Sequence, residues 1–275
     1  MTGISVIEHR GCRLAYRVRG DGPPVVLIQG AGVHGDGWRP QVDALTSRYR
    51  CLWFDNRGIG QSQPMGAAPS VEQMAEDVEV LMDAEGWKAA HVVGHSVGGL
   101  VGVHVALAAR ARVRSLALLC TFPRGRDATR LSPWIIWVGM RSRVGTRRQR
   151  RHAFLRLVMP PRELGMADRD ELAARLAPLF GHDLADQPPA ALKQLRAIRG
   201  YDATPRLRDL AGLPALVVSA AHDRIAPPAL GQALAAAVPG ARYVEVPDAA
   251  HGVTIQRAGH INALLLDHLA RADGA

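Results

Sequence analysis

The stretch from His91 to Leu100 constrains this chain more than any other. A short apolar-leaning run leads into Gly94-His95-Ser96-Val97-Gly98, and an apolar helical pattern follows at once. This is the G-x-S-x-G spacing, set between a strand and a helix. A serine there sits on a backbone turn too tight for bulky neighbours, so glycine is needed two places before it and two places after. The turn lifts the hydroxyl clear of the sheet and aims the next backbone N–H groups at the same point in space. Gly99 adds another small residue where the helix must pass close to the strands. A bare five-residue pattern can arise by chance in a glycine-rich chain, and the bland alternative is a strand-to-helix turn with an idle serine.

The rest of the chain supplies the strands and helices that such a turn requires. Residues 4–9 and 12–19 read as paired strands around Gly11. Val25-Val26-Leu27-Ile28 is a continuous apolar run, as expected of a buried parallel strand. It ends in the flexible Gln29-Gly30-Ala31-Gly32, after which His34 and Trp38 precede a helical stretch to about Ser47. Cys51-Leu52-Trp53-Phe54 is a second short buried strand, followed by Asp55-Asn56-Arg57-Gly58-Ile59-Gly60-Gln61-Ser62. Ser70 with Gln73 forms a capping box. Val71, Met74, Ala75, Val78 and Met82 then share a helical face. After the turn at Ser96 and its helix, residues 115–119 form another strand. From Pro123 to about Thr204 the pattern is helical only; strands resume at 215–218 and 242–246, with helices over 227–238 and 258–270. Strand–helix alternation interrupted once implies a mostly parallel sheet flanked by helices, with a helical lid inserted after the sixth strand. The expected division is a core of 1–122 and 205–275 and a lid of 123–204.

A serine hydroxyl is a weak nucleophile until a base takes its proton, and that base needs an acid to fix its tautomer. In the chain order Ser…Asp/Glu…His, both partners follow the serine. Asp223 lies just past the strand ending at Val218, and His251 just past the one ending near Val246, where open sheets place their ligands. Asp248 competes with Asp223 by its proximity to His251, but reads better as a turn residue. His222 and His260 are rival histidines; His222 adjoins Asp223, and His260 falls within a helical pattern.

Taken together, Gln29-Gly30-Ala31-Gly32, Asp55 through Ser62, the Ser96 turn, Asp223 and His251 resemble the α/β-hydrolase superfamily over nearly the whole chain. The resemblance is to its small lidded esterases, enol-lactonases and related hydrolases. It implies an oxyanion hole made by the backbone N–H groups of Ala31 and Val97, donors whose loss costs ~10²–10³ in rate. One departure is Gln29, where many relatives carry a histidine that braces the loop. Glutamine can brace through its amide, or reshape the acyl side of the pocket. Serine as nucleophile separates the chain from the dehalogenases and epoxide hydrolases, which use aspartate there. Asp55 and Arg57 are expected to brace their loop and His95 to point into the fold, while His34 and Trp38 are candidates for the pocket wall.

The implied activity is hydrolysis of a carboxylic ester or lactone through an acyl-enzyme, without cofactor or metal. C–C bond hydrolysis on the same triad, and a ligand receptor built on the hydrolase fold, are the alternatives. Three cysteines, Cys12, Cys51 and Cys120, are widely spaced and suggest neither a disulfide framework nor a zinc site. No apolar run is long enough to span a bilayer, and the N-terminus lacks a signal-peptide pattern; the expected setting is cytoplasmic.

The formal net charge is +9, and much of the excess is arginine within the helical block. Ser132-Pro133 starts a helix there, on which Trp134, Trp137, Val138 and Arg141 share a stripe expected to face the pocket mouth. Gly145 breaks this helix, and Thr146 can cap the next. Arg141, Arg143, Arg147, Arg148, Arg150 and Arg151 follow one another closely, in a region where several oppose the helix dipole. They are read either as a solvated face or as a site for an anionic substrate. Nucleic acid is not expected, because no binding module accompanies the charge.

Overall fold

The computed structural model describes residues 3–65, 69–129 and 132–274. Its centre is an eight-stranded sheet in the order β1-β2-β4-β3-β5-β6-β7-β8. The strands are β1 (Ser5–His9), β2 (Cys12–Arg19), β3 (Pro24–Ile28), β4 (Arg50–Phe54), β5 (Ala90–His95), β6 (Val113–Leu119), β7 (Ala215–Ala220) and β8 (Arg242–Val246). β2 runs antiparallel to both β1 and β4, and every other pairing is parallel.

Alternate residues along each strand feed opposite layers, the period-2 consequence of the pleat. Val26, Ile28 and Val92 pack with α2 (Val71–Ala84) and α3 (Val97–Ala108) on one face. Val25, Leu27 and Val93 pack with α1 (Arg39–Leu45) and with α11 (Ala258–Asp273), which comes after α9 (Pro228–Ala237) and α10 (Val253–Gln256), on the other. Both faces of β3 and β5 are therefore dry, which is why these strands read as unbroken apolar runs. The strand order reverses at β3, so the loops after β3 and β5 open side by side at one edge of the sheet. That switch point is where open α/β sheets carry their sites.

Local expectations hold with small differences. Ser70 caps α2 by accepting the Gln73 N–H at 3.1 Å, but the Gln73 side chain turns to Asp77 instead of closing the capping box. The stretch after the Gln29 loop begins as a 3-10 turn, Gly35–Trp38, before α1 forms. Asp55 and Arg57 do not pair with each other. Asp55 accepts the N–H groups of Gly35 and Gln61, while buried Arg57 grips buried Asp77 through Nε at 3.0 Å and Nη2 at 2.6 Å.

Between β6 and β7 lie α4 (Pro133–Arg141), α5 (Arg147–Val158), α6 (Pro161–Met166), α7 (Arg169–Phe180) and α8 (Pro189–Ile198), with no strand among the described residues. Leu155, Leu172, Leu176, Phe180 and Leu184 give this block a core of its own. Ser132 caps α4, and Thr146 with Gln149 makes a full capping box at α5. The face of α4 that is buried carries Ile135 and Val138 and not the tryptophans. Trp137 is exposed, and Trp134 lies beneath the Arg224 guanidinium, 4.3 Å from the ring centre.

The arginines of α5 have partners within the block. Arg147 reaches Asp183 and Asp186 at 2.7 Å each, Arg148 reaches Asp170 at 2.8 Å, and Arg151 also holds Asp183. They tie α5 to α7 and to the α7–α8 connection. Their number is explained by packing between helices, which the helix dipole alone could not supply.

Candidate active site

Ser96 occupies the expected turn with φ +55°, a left-handed value that side chains rarely adopt. The neighbouring glycines are required by close approach. A Cβ on Gly94 would lie 2.3 Å from Gly98 O, one on Gly98 would lie 2.1 Å from Ile28 O, and one on Gly99 would strike Thr121 at 2.6 Å. The strained residue is held from the adjacent strand end: Ser96 N–H donates to Leu119 O at 2.9 Å, and Thr121 Oγ1 donates to Ser96 O at 2.6 Å.

His251 stands over the serine, its Nε2 3.0 Å from Ser96 Oγ. Its Nδ1 lies 2.7 Å from Asp223 Oδ2. Because a carboxylate can only accept, Nδ1 carries the proton and Nε2 is left free to accept from the serine. The other carboxylate oxygen, Oδ1, accepts the N–H groups of Ile225 and Ala226 at 2.8 and 2.9 Å. Asp223 is thus buried and fully bonded, an arrangement that fixes its orientation. Asp248 is exposed and bonds neither Ser96 nor His251 among the described residues; nor do the side chains of His222 and His260.

His95 packs against the ring of His251, with centres 4.9 Å apart, and its Nε2–H donates to the His251 carbonyl at 2.9 Å. Burial, and then the neighbouring His251, pull its pKa down to about 3, so it stays neutral and serves as a prop. Trp38 is wholly buried, edge-on to His95, and His34 binds back to Phe180 O through its N–H; neither lines the cavity. Cys120, buried against Asp223, has its thiol pKa pushed well up by burial and then by that carboxylate, and remains a thiol.

The loop after β3 is set so that alternate N–H groups are already satisfied. Gly30 N–H donates to Gln29 Oε1 at 2.9 Å, and Gly32 N–H donates to Gln194 Oε1 at 3.2 Å. The N–H of Ala31 between them has no acceptor among the described residues, and neither has that of Val97 at the start of α3. Gln29 therefore braces its loop through its amide oxygen, while its carbonyl accepts from Asn56.

Two contacts from the helical block also hold the site. Gln194 of α8 is fully buried and bridges Gly32 N–H and Arg57 O, the latter at 3.2 Å. Val158 O, at the end of α5, accepts Gly252 N–H beside His251 at 2.9 Å. A sequence signal existed for the first: Ala190, Ala191, Gln194 and Ile198 follow helical spacing on the buried face, so a glutamine there needs partners. The carbonyl had none.

Ser96, His251, Gln29 and Ala31 border a cavity of about 420 Å³, within the ~300–1,000 Å³ of small-molecule sites. Its walls are mainly apolar, from Phe122, Ile135, Ile136, Phe154, Leu157 and Leu195 among others.

A serine on a strained strand-to-helix turn, bonded through histidine to a buried aspartate past β7, defines a class on this sheet. The chain belongs to the family described as alpha/beta hydrolase fold, whose pattern it matches over residues 23–258. Among solved structures it is similar to the enol-lactonase of Burkholderia xenovorans, at 30% identity and a TM-score of 0.81, covering 97% of this chain and 100% of that one. A hydrolase of Pseudomonas aeruginosa gives 27% identity and a TM-score of 0.81, covering 97% and 98%. A sequence relative in Azorhizobium caulinodans, which carries the provisional name of carbamate hydrolase RutD, is 30% identical over 94% of this chain and 96% of its own length.

Proposed function

We propose that this protein is a serine hydrolase that cleaves a carboxylic ester or lactone through an acyl-enzyme. Ser96 is the nucleophile, His251 the general base and acid, Asp223 the group that orients His251, and the N–H groups of Ala31 and Val97 form the oxyanion hole. The observation that carries the reading is the unbroken relay from Asp223 through His251 to Ser96, at 2.7 and 3.0 Å.

In the proposed cycle, His251 Nε2 takes the hydroxyl proton as Ser96 Oγ adds to the carbonyl carbon. The developing oxyanion accepts from Ala31 and Val97, preorganised donors that need not turn at the moment of reaction. As the intermediate collapses, the C–O bond breaks and His251 returns the proton to the departing alkoxide. Water, deprotonated by His251, then releases the acid and restores Ser96. Asp223 keeps its hold on His251 Nδ1 throughout and stabilises the transient imidazolium. The cycle uses no cofactor. Residues 123–204 act as the lid, limiting water around the acyl group. The likeness to the Burkholderia enol-lactonase supports a cyclic ester as one substrate class. A carbamate presents the same carbonyl with a nitrogen leaving group, and the name of the Azorhizobium relative makes it the second class to assay.

A fluorophosphonate should add a single label at Ser96. Ser96→Ala should abolish labelling and lower kcat on a short-chain p-nitrophenyl ester by ~10⁶. A label on another serine, or near-normal hydrolysis by the alanine variant, refutes the assignment.

A further inference from the structure

We infer that Arg143 is an anchor for a carboxylate carried by the substrate, at a point remote from the scissile carbonyl. The inference deepens the ester or lactone reading and rests on it.

Arg143 follows α4 and lines the same cavity as Ser96. No other Arg, Lys, Asp or Glu borders that cavity among the described residues. The other polar side chains on the lid side are neutral: Ser142 Oγ donates to Gly139 O at 2.7 Å, and Gln187 Nε2 donates to Leu184 O at 3.0 Å. Arg143 makes only a long bond from Nη1 to Gly139 O, 3.4 Å, and no carboxylate lies against it among the described residues. This separates it from Arg147, Arg148 and Arg151, which hold aspartates, and from Arg156, which lies over Trp137. Arg141 also has no carboxylate partner among the described residues but does not border the cavity.

Arg143 is an exposed residue at the cavity edge, and partial burial lowers its guanidinium pKa from the ordinary value. A guanidinium at the edge of an apolar wall and without a counter-charge is free to take up an anion. A ligand carboxylate would supply the missing charge, and the guanidinium fork can bind it through two parallel hydrogen bonds. The apolar wall between Arg143 and the site suits a hydrocarbon spacer. The ligand is therefore a hemiester of a dicarboxylic acid, or a lactone bearing a carboxylate.

The test compares kcat/KM for esters of equal length with and without a terminal carboxylate, in one series on the acyl side and in another on the alcohol side. Salt is held at 0.15 M so that diffuse attraction is screened. In the series that fits, the anionic-to-neutral ratio should fall about tenfold or more in Arg143→Gln. In Arg147→Gln, whose arginine is already paired, it should hold. An equal ratio in wild type and Arg143→Gln in both series overturns the anchor. If no ester is turned over, the hydrolytic reading fails and binding still decides the anchor. By calorimetry, heptanoate should bind at least about tenfold more tightly than heptanamide, and Arg143→Gln should remove the difference. Equal binding of acid and amide by the wild type overturns it.

Discussion

Replacing Gln194 with leucine keeps the volume and the helix but removes both bonds that join α8 to the core. Gly32 N–H loses the acceptor at 3.2 Å, and Arg57 O loses the donor at 3.2 Å. Both backbone groups stay buried, because the substituted side chain still fills the gap. Each unsatisfied buried group costs ~1–3 kcal/mol, so the expected destabilisation is about 3 kcal/mol. In a domain of this size that corresponds to a fall in Tm of roughly 5–10 °C. The catalytic consequence follows from position: Gly32 adjoins Ala31, whose N–H is the proposed oxyanion donor. Removing such a donor costs ~10²–10³, so loosening one should lower kcat by about tenfold or more. That loss belongs in kcat and not in KM, since the bond strengthens only as charge develops. Thermal melts and steady-state kinetics on one p-nitrophenyl ester, for wild type, Gln194→Leu and Gln194→Glu, read both effects. Glutamate retains an acceptor for Gly32 but no donor for Arg57, so its kcat should recover more than its Tm. A leucine variant with lowered Tm and unchanged kcat would reduce Gln194 to a packing residue. Unchanged values of both would refute the reasoning altogether.

Two further outcomes are expected. Asp223→Asn should lower kcat by ~10⁴ while the fold persists, because the imidazole loses the acceptor that fixes its tautomer; Asp248→Asn should change kcat little, and the reverse ranking would move the acid. His268, buried in α11, has its pKa lowered to about 4, first by burial. Its unfolded counterpart titrates near 6.5, so the unfolded state binds the proton first, and stability is full above about pH 6.5 and falls as pH drops towards 4. Denaturant unfolding across that window should show a slope shallower by up to ~1.4 kcal/mol per pH unit in His268→Leu; an unaltered slope would exclude a neutral buried His268.

The legible part of this protein is the part governed by short-range chemistry. Ser96 could be found because its backbone demands glycine at Gly94 and Gly98, and those demands sit within five residues. The strands at β3, β5, β6 and β7 showed as apolar runs because both faces of the sheet are covered. The caps at Ser132 and Thr146 depend on neighbours in the same turn. On α4 the stripe holds in part: Val138 is buried as its spacing implies, but Ile135 is buried beside it, while Trp137 stays exposed and Trp134 meets Arg224, a choice made by the packing of the lid and not by residue type.

The amino-acid sequence by itself determined the order of strands and helices, the place of the turn at Ser96, and a short set of acids and histidines past the later strands. Only the tertiary structure decided which of these meet. It brought Asp223 to His251 and left Asp248 in solvent. It paired Arg147 and Arg148 with aspartates while leaving Arg143 at the cavity, and it set Gln194 against a loop 162 residues away. The physical reason is one of range. Periodicity, glycine geometry and capping act over a few residues, whereas a hydrogen bond or counter-charge depends on where distant segments come to rest once the two faces of the sheet are buried.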